Sequence, residues 1–98
     1  MSREALYHAS VRQEIWEILS HYENISAELA DDFWEELTEA VEDARKFPER
    51  HHFDPSGRRR CNLKRFPYHF LFRTNPSQIK ITVVRHHSRH PGYGSRRL

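Results

Sequence analysis

Ninety-eight residues allow one domain, expected to span residues 1–98, and a chain this short buries somewhat over ~60% of the surface its unfolded form exposes, so a single thin core is expected. All fourteen Asp and Glu lie at or before Asp54: residues 1–56 carry −9 and residues 57–98 carry +11, so the net charge of +2 conceals a cationic half whose field suits a phosphate backbone or an acidic protein surface. Twelve aromatics argue against disorder, the lone Cys61 excludes an intrachain disulfide and a multi-cysteine zinc site, and no signal-like or membrane-length apolar run occurs, which reads as a soluble intracellular protein.

Glu4 to His8 is expected to add a short edge strand. Val11, Ile15, Ile18, Leu19 and Tyr22 then recur at steps of three and four, one face of a helix over residues 9–22. Ser26 or Asn24 caps a second helix that runs to about Lys46, with Leu29, Phe33, Leu37, Ala40, Val41 and Ala44 as its buried stripe and acids over the rest. Pro48 stops it, and the short link makes the pair an antiparallel hairpin. Trp16 and Trp34 lie off the stripes; they are expected to cover the hairpin's flank, the alternative being an apolar patch for a partner helix.

After a loop at residues 49–57 the period changes to two. Cys61 and Leu63 alternate with Arg60, Asn62 and Lys64; Tyr68, Phe70 and Phe72 alternate with His69, Leu71 and Arg73. Asn75-Pro76-Ser77 is a turn, and Ile79, Ile81 and Val83 alternate with Lys80, Thr82 and Val84. Three strands with short connections form an antiparallel meander. The whole reads as α+β: an N-terminal antiparallel helical hairpin packed on a small, mainly antiparallel sheet of three to four strands, with a flexible basic tail from about residue 88 to 98.

The face of the sheet away from the helices is expected to gather cations. Lys64, Arg65, Arg73, His69, His86, His87, Arg89, Arg96, Arg97 and Tyr93 are candidates to line it and its C-terminal edge, as groups that bind a target or a nucleic acid. His86, His87 and His90 have metal-like density, but no carboxylate follows Asp54, so neither a metal nor a cofactor is expected. No recognition-helix pattern occurs in the basic half, which disfavours a plain nucleic-acid-binding module.

The order of elements, the string Phe66-Pro67-Tyr68-His69-Phe70-Leu71-Phe72-Arg73, and the ending with His87, Arg89, Pro91 and Tyr93 resemble the RelE/ParE superfamily of toxins from bacterial toxin–antitoxin modules. The resemblance covers nearly the whole chain. It implies a cytoplasmic bacterial toxin, a cognate antitoxin that masks it, operator DNA bound only through that antitoxin, no membrane, and a plasmid-stabilising role. One branch of the superfamily cleaves mRNA on the ribosome; the other inhibits DNA gyrase.

Metal-free RNA cleavage needs a base for the 2′-oxygen, an acid for the leaving 5′-oxygen and cations for the pentavalent phosphate. In the RNA-cleaving branch an Arg usually follows the aromatic residue that resembles Tyr68, and this chain has His69 there; the later Arg and Tyr fall on Arg89 and Tyr93. A histidine transfers protons but makes no bidentate phosphate clamp. His69, Arg89 and Tyr93 are thus the catalytic set if the chain is a ribonuclease. The ending His86 or His87 with Arg89 resembles the gyrase-inhibiting branch, and the reading leans that way.

Overall fold

The computed structural model describes residues 3–98: β1 (Glu4–Tyr7), α1 (Val11–Glu23), α2 (Ala27–Lys46), a 3-10 turn (Pro48–Arg50), β2 (Arg59–Asn62), β3 (Tyr68–Thr74) and β4 (Gln78–His86). Ser26 starts α2 as its chemistry predicts. Its backbone is extended and its Oγ accepts from the Leu29 N–H at 3.0 Å, satisfying a donor that the first turn leaves unpaired. Arg45 and Lys46 occupy the last turn of α2, favourable at the negative end of the dipole, and Pro48 opens the 3-10 turn instead of extending the helix.

Phe33, Leu37, Val41 and Ala44 of α2 meet Val11, Ile18 and Tyr22 of α1 over Phe70, Phe72, Ile79, Ile81 and Val84 of the sheet. Phe33 and Phe66 touch edge to face, with centroids 5.3 Å apart, a geometry worth ~0.5–1.5 kcal/mol beyond the area buried. The sheet order is β1-β4-β3-β2. β2, β3 and β4 form the expected antiparallel meander, whereas β1 lies parallel to β4 with Glu4 opposite Gln78 and Tyr7 opposite Ile81. The fold is therefore α+β with a mixed four-stranded sheet.

One irregularity rearranges β4. Val83 opposes Leu71 but Ile81 opposes Phe72, so Thr82 is an extra residue in the ladder. A bulge of one residue reverses which face the following side chains take. Strict alternation expects Val83 on the core side and Val84 away; instead Val84 packs under the helices, while Val83 and Arg85 share the other face with Leu71 and His69. The buried Thr82 hydroxyl donates to the Leu71 carbonyl at 3.3 Å.

A second departure is at the edge of β4. β1 pairs only as far as Ile81, where the His8 N–H donates to the Ile81 carbonyl at 2.9 Å. Beyond that point two side chains replace the missing strand. Glu14 of α1 accepts the Val84 N–H at 3.1 Å, Arg97 donates to the Thr82 carbonyl at 3.2 Å, and the two side chains pair at 2.7 Å. Glu14 is consequently buried, although it lies outside the apolar stripe read from the sequence.

Residues 88–98 form only turns, as their Gly and Pro content predicts, and side-chain contacts tie this strap to the sheet. Arg97 holds Glu14, Arg58 donates to the Arg97 carbonyl at 2.9 Å, and Gly94, at φ +71°, sits where a Cβ would come within 2.7 Å of Val83 Cγ2. Trp16 and Trp34 do not cover the flank: they are 62% and 49% exposed.

Replacing Glu14 with Ala strands Arg97 and opens the Val84 N–H, and urea unfolding should show a loss of about 3 kcal/mol. Adding Arg97→Ala to that variant should cost much less than Arg97→Ala alone. Simple additivity of the two would show that they do not act as one plug.

Candidate functional site

His69 of β3 and Arg85 of β4 are ladder partners on the face away from the helices. Arg85 is only 4% exposed, and a guanidinium removed from water needs acceptors. Its Nε donates to His69 Nε2 at 2.9 Å, one Nη donates to the Pro91 and Tyr93 carbonyls at 2.9 and 2.7 Å, and the other faces Asp54 Oδ1 at 3.8 Å. Asp54, also buried, accepts the Ser56 N–H at 3.0 Å and lies 3.6 Å from Arg60. Burial by itself would raise its pKa; the Ser56 hydrogen bonds, with Arg85 and Arg60, more than offset this and hold the carboxyl below its usual value.

These contacts fix two histidine tautomers. Arg85 can only donate, so His69 Nε2 accepts and its proton sits on Nδ1. That nitrogen lies 2.9 Å from His87 Nδ1, which must accept in turn, leaving the His87 proton on Nε2. The rings are stacked, with an interplanar angle of 11°. Burial, reinforced by the positive charge of Arg60 and Arg85, pushes the His69 pKa down to about 3; burial, Arg60 and His86 also lower that of His87. At neutral pH the pair is uncharged. His69 is 1% exposed and serves as a scaffold beneath His87.

Around this pair opens a cleft of about 380 Å³, lined by Arg60, His87, Arg89, Gly92 and Ser95 over a floor of His69, Arg85 and Asp54. Arg89 stacks on the Tyr93 ring, with its guanidinium carbon 4.0 Å from the centroid, and Arg97 lies 5.1 Å from the same ring. Tyr93 is thereby packed back onto the strap that carries it.

The other expected site residues scatter. Lys64 and Arg65 turn towards α2: both backbone N–H groups donate to Glu36, and the Arg65 side chain reaches Asp32 at 3.3 Å, so an acidic helix draws this turn off the cationic face. His86, past the bulge, points to the helix side, where its ring meets Tyr68 and it lines a second cleft of about 230 Å³ with Glu17, Arg89 and Tyr93. Arg73 is at the far end of β3 and donates to the Leu98 carbonyl. Arg96 is exposed, and Arg97 is committed to Glu14. Of the expected set, His69, His87, Arg89 and Tyr93 come together.

Sequence reasoning missed Arg85, Asp54 and Arg60. The available signal was Asp54 itself, the last carboxylate before the cationic half. Among the described residues, no three His, Cys, Asp or Glu side chains gather as a metal would require.

A family model described as ParE toxin of type II toxin-antitoxin system, parDE, matches residues 5–91. Among solved structures, a chain of the "Chromosomal ParDE TA system from P. aeruginosa" superposes with a TM-score of 0.73 at 20% identity, over 87% of this chain and 96% of that one, a likeness of fold. No curated protein sequence matches.

The buried neutral His69 sets a pH dependence. Unfolded it takes up a proton near 6.5, folded only at about 3, so its contribution to stability is complete above about pH 6.5 and is lost as the pH falls from there towards 3. Urea unfolding at about pH 7.5 and about pH 5 should therefore show a steeper acid loss for the wild type than for His69→Gln. Equal slopes would place the dependence elsewhere.

Proposed function

This chain belongs to the ParE toxin family of type II toxin–antitoxin systems, and from that premise we propose that it arrests bacterial growth by gripping DNA gyrase with the cationic C-terminal end of its sheet. The observation that carries the choice of target is the state of His69. Where the RNA-cleaving branch usually places an Arg, this chain buries an uncharged imidazole whose nitrogens are spent on Arg85 and His87. Such a group neither clamps a phosphate nor exchanges protons with one near neutrality. Of the three residues the cleavage chemistry would use, Arg89 and Tyr93 remain, and they are stacked on each other. That supports a surface for recognition: His87 at the end of the sheet with Arg89 and Arg96 on the strap, all exposed.

The rival reading, cleavage of ribosome-bound mRNA, draws on one observation: His87, Arg89 and Tyr93 do converge, and on one cleft's rim His87 retains an N–H to offer. The antitoxin fits the opposite side. Trp16, Trp34 and Tyr7 are exposed around Ile15 and Leu19, an apolar patch on an acidic hairpin that suits the apolar face of a partner helix. Operator DNA would then be bound through the antitoxin, and both partners would meet in the cytoplasm; no helix among the described residues is long and apolar enough to cross a membrane.

Purified toxin added to a gyrase supercoiling assay and to a translating extract separates the two targets. Inhibited supercoiling with intact mRNA is expected; cut mRNA with normal supercoiling would overturn the gyrase reading. Arg89→Ala should abolish growth arrest while leaving the unfolding midpoint near wild type. Trp16→Ala should keep growth arrest but weaken antitoxin binding by about 2 kcal/mol, roughly thirtyfold.

A further inference from the structure

The cleft over the His69–Arg85–Asp54 floor is walled by donors. Among the described residues, His87 Nε2–H has no acceptor and the Arg89 guanidinium makes no side-chain hydrogen bond. Arg60 spends its Nε on Asn62 at 2.8 Å and one Nη on Asp54, with the other Nη left over. Asp54 is the single carboxylate in the lining, and it is turned down: Oδ1 faces Arg60 and Arg85, Oδ2 takes the Ser56 N–H. Three guanidiniums against one carboxylate leave the cleft about two charges positive, in a recess where the field of these charges is concentrated.

We propose that this cleft is a binding site for a terminal phosphate group, that of a phosphate monoester such as a 5′-mononucleotide. The donors come from two sides of the cleft, Arg60 on β2 and His87 with Arg89 in the turn that follows β4, and three converging donors suit the three terminal oxygens of a phosphate better than the two of a carboxylate. The floor is closed by buried His69 and Arg85, which stops a chain from passing through and favours a chain end over an internal phosphodiester. The volume of about 380 Å³ leaves room for the organic part of the ester beyond the phosphate itself. His87 acts as a neutral donor, held so by the proton that His69 gives to its Nδ1. The proposal deepens the reading above, since His87 and Arg89 belong to both, but it is tested by binding and not by toxicity, so each can fail alone.

The test is titration of the full chain with 5′-AMP, adenosine and a short single-stranded oligonucleotide lacking terminal phosphates, followed by calorimetry and by the His87 ring resonances in NMR spectra. Saturable binding of 5′-AMP that moves the His87 ring signals, with none by adenosine, is expected. Arg89→Gln and His87→Ala should each weaken it by about tenfold or more, as losing a charge-assisted or fixed donor does. His87→Gln, which keeps an uncharged N–H, should recover part of the loss, and affinity in the wild type should change little as the pH rises from about 7 to about 8.5, where a protonated histidine would have lost its charge. Adenosine binding as well as 5′-AMP, tighter binding of the unphosphorylated oligonucleotide, undisturbed His87 signals at saturating 5′-AMP, or unchanged affinity in Arg89→Gln would each overturn the proposal.

Discussion

A guanidinium buried in a sheet must replace every hydrogen bond it gave up to water, and Arg85 obliges its surroundings to do so. Its acceptors come from three distant stretches of chain: His69 on β3, the Asp54 loop, and the carbonyls of Pro91 and Tyr93 on the C-terminal strap. Each of these is shaped by serving it. His69 is fixed in one tautomer, Asp54 is drawn out of solvent and kept ionised, and a Gly- and Pro-rich segment without regular structure is ordered. Removing Arg85 would leave Asp54 buried and the strap held mainly by Arg97 and Arg58.

The bulge at Thr82 is what brings Arg85 to that face. With regular alternation Arg85 would point under the helices, towards Phe70 and Phe72. The extra residue turns the guanidinium to the open face and Val84 into the core, so one insertion resolves two burial conflicts at once. It sits where β1 has ended, at the stretch of β4 whose edge Glu14 and Arg97 complete. The two charged halves of the chain thus meet at two buried points, Glu14 with Arg97 and Asp54 with Arg85, and at one exposed point, where α2 holds the Lys64–Arg65 turn.

Much of this was legible because it rests on repeated signals. The α2 stripe is read from several turns of one helix, and Ser26 and Pro48 bracket it with independent chemistry, so Phe33, Leu37, Val41 and Ala44 fall in the core as expected. The meander was read from alternation on either side of Asn75, whose side chain accepts the Ser77 and Gln78 N–H groups. What was not legible rests on single events. A bulge shifts one residue and leaves no trace in a period of two; it moved Arg85 and His86 across the sheet, away from the positions that alternation gives them. The placement of Arg65 depended on Glu36 and Asp32, some thirty positions away in sequence, and long-range pairing of charges has no local pattern.

The electrostatics of the cleft bear on what such a surface can do. A catalytic site for phosphoryl chemistry needs a group that gives and takes a proton near neutral pH. Here the buried imidazole has been pushed far below that range, its partner is lowered too by burial and the neighbouring Arg60, and the carboxylate is tied to Ser56 and faced by Arg60 and Arg85. What the cleft presents is a set of N–H donors and positive charge that the fold already holds in place. Preorganised donors of this kind favour affinity and register, because little ordering remains to be done on binding. In this chain the same contacts that stabilise the fold therefore take His69 out of proton exchange near neutrality and leave His87 and Arg89 at the rim of the cleft.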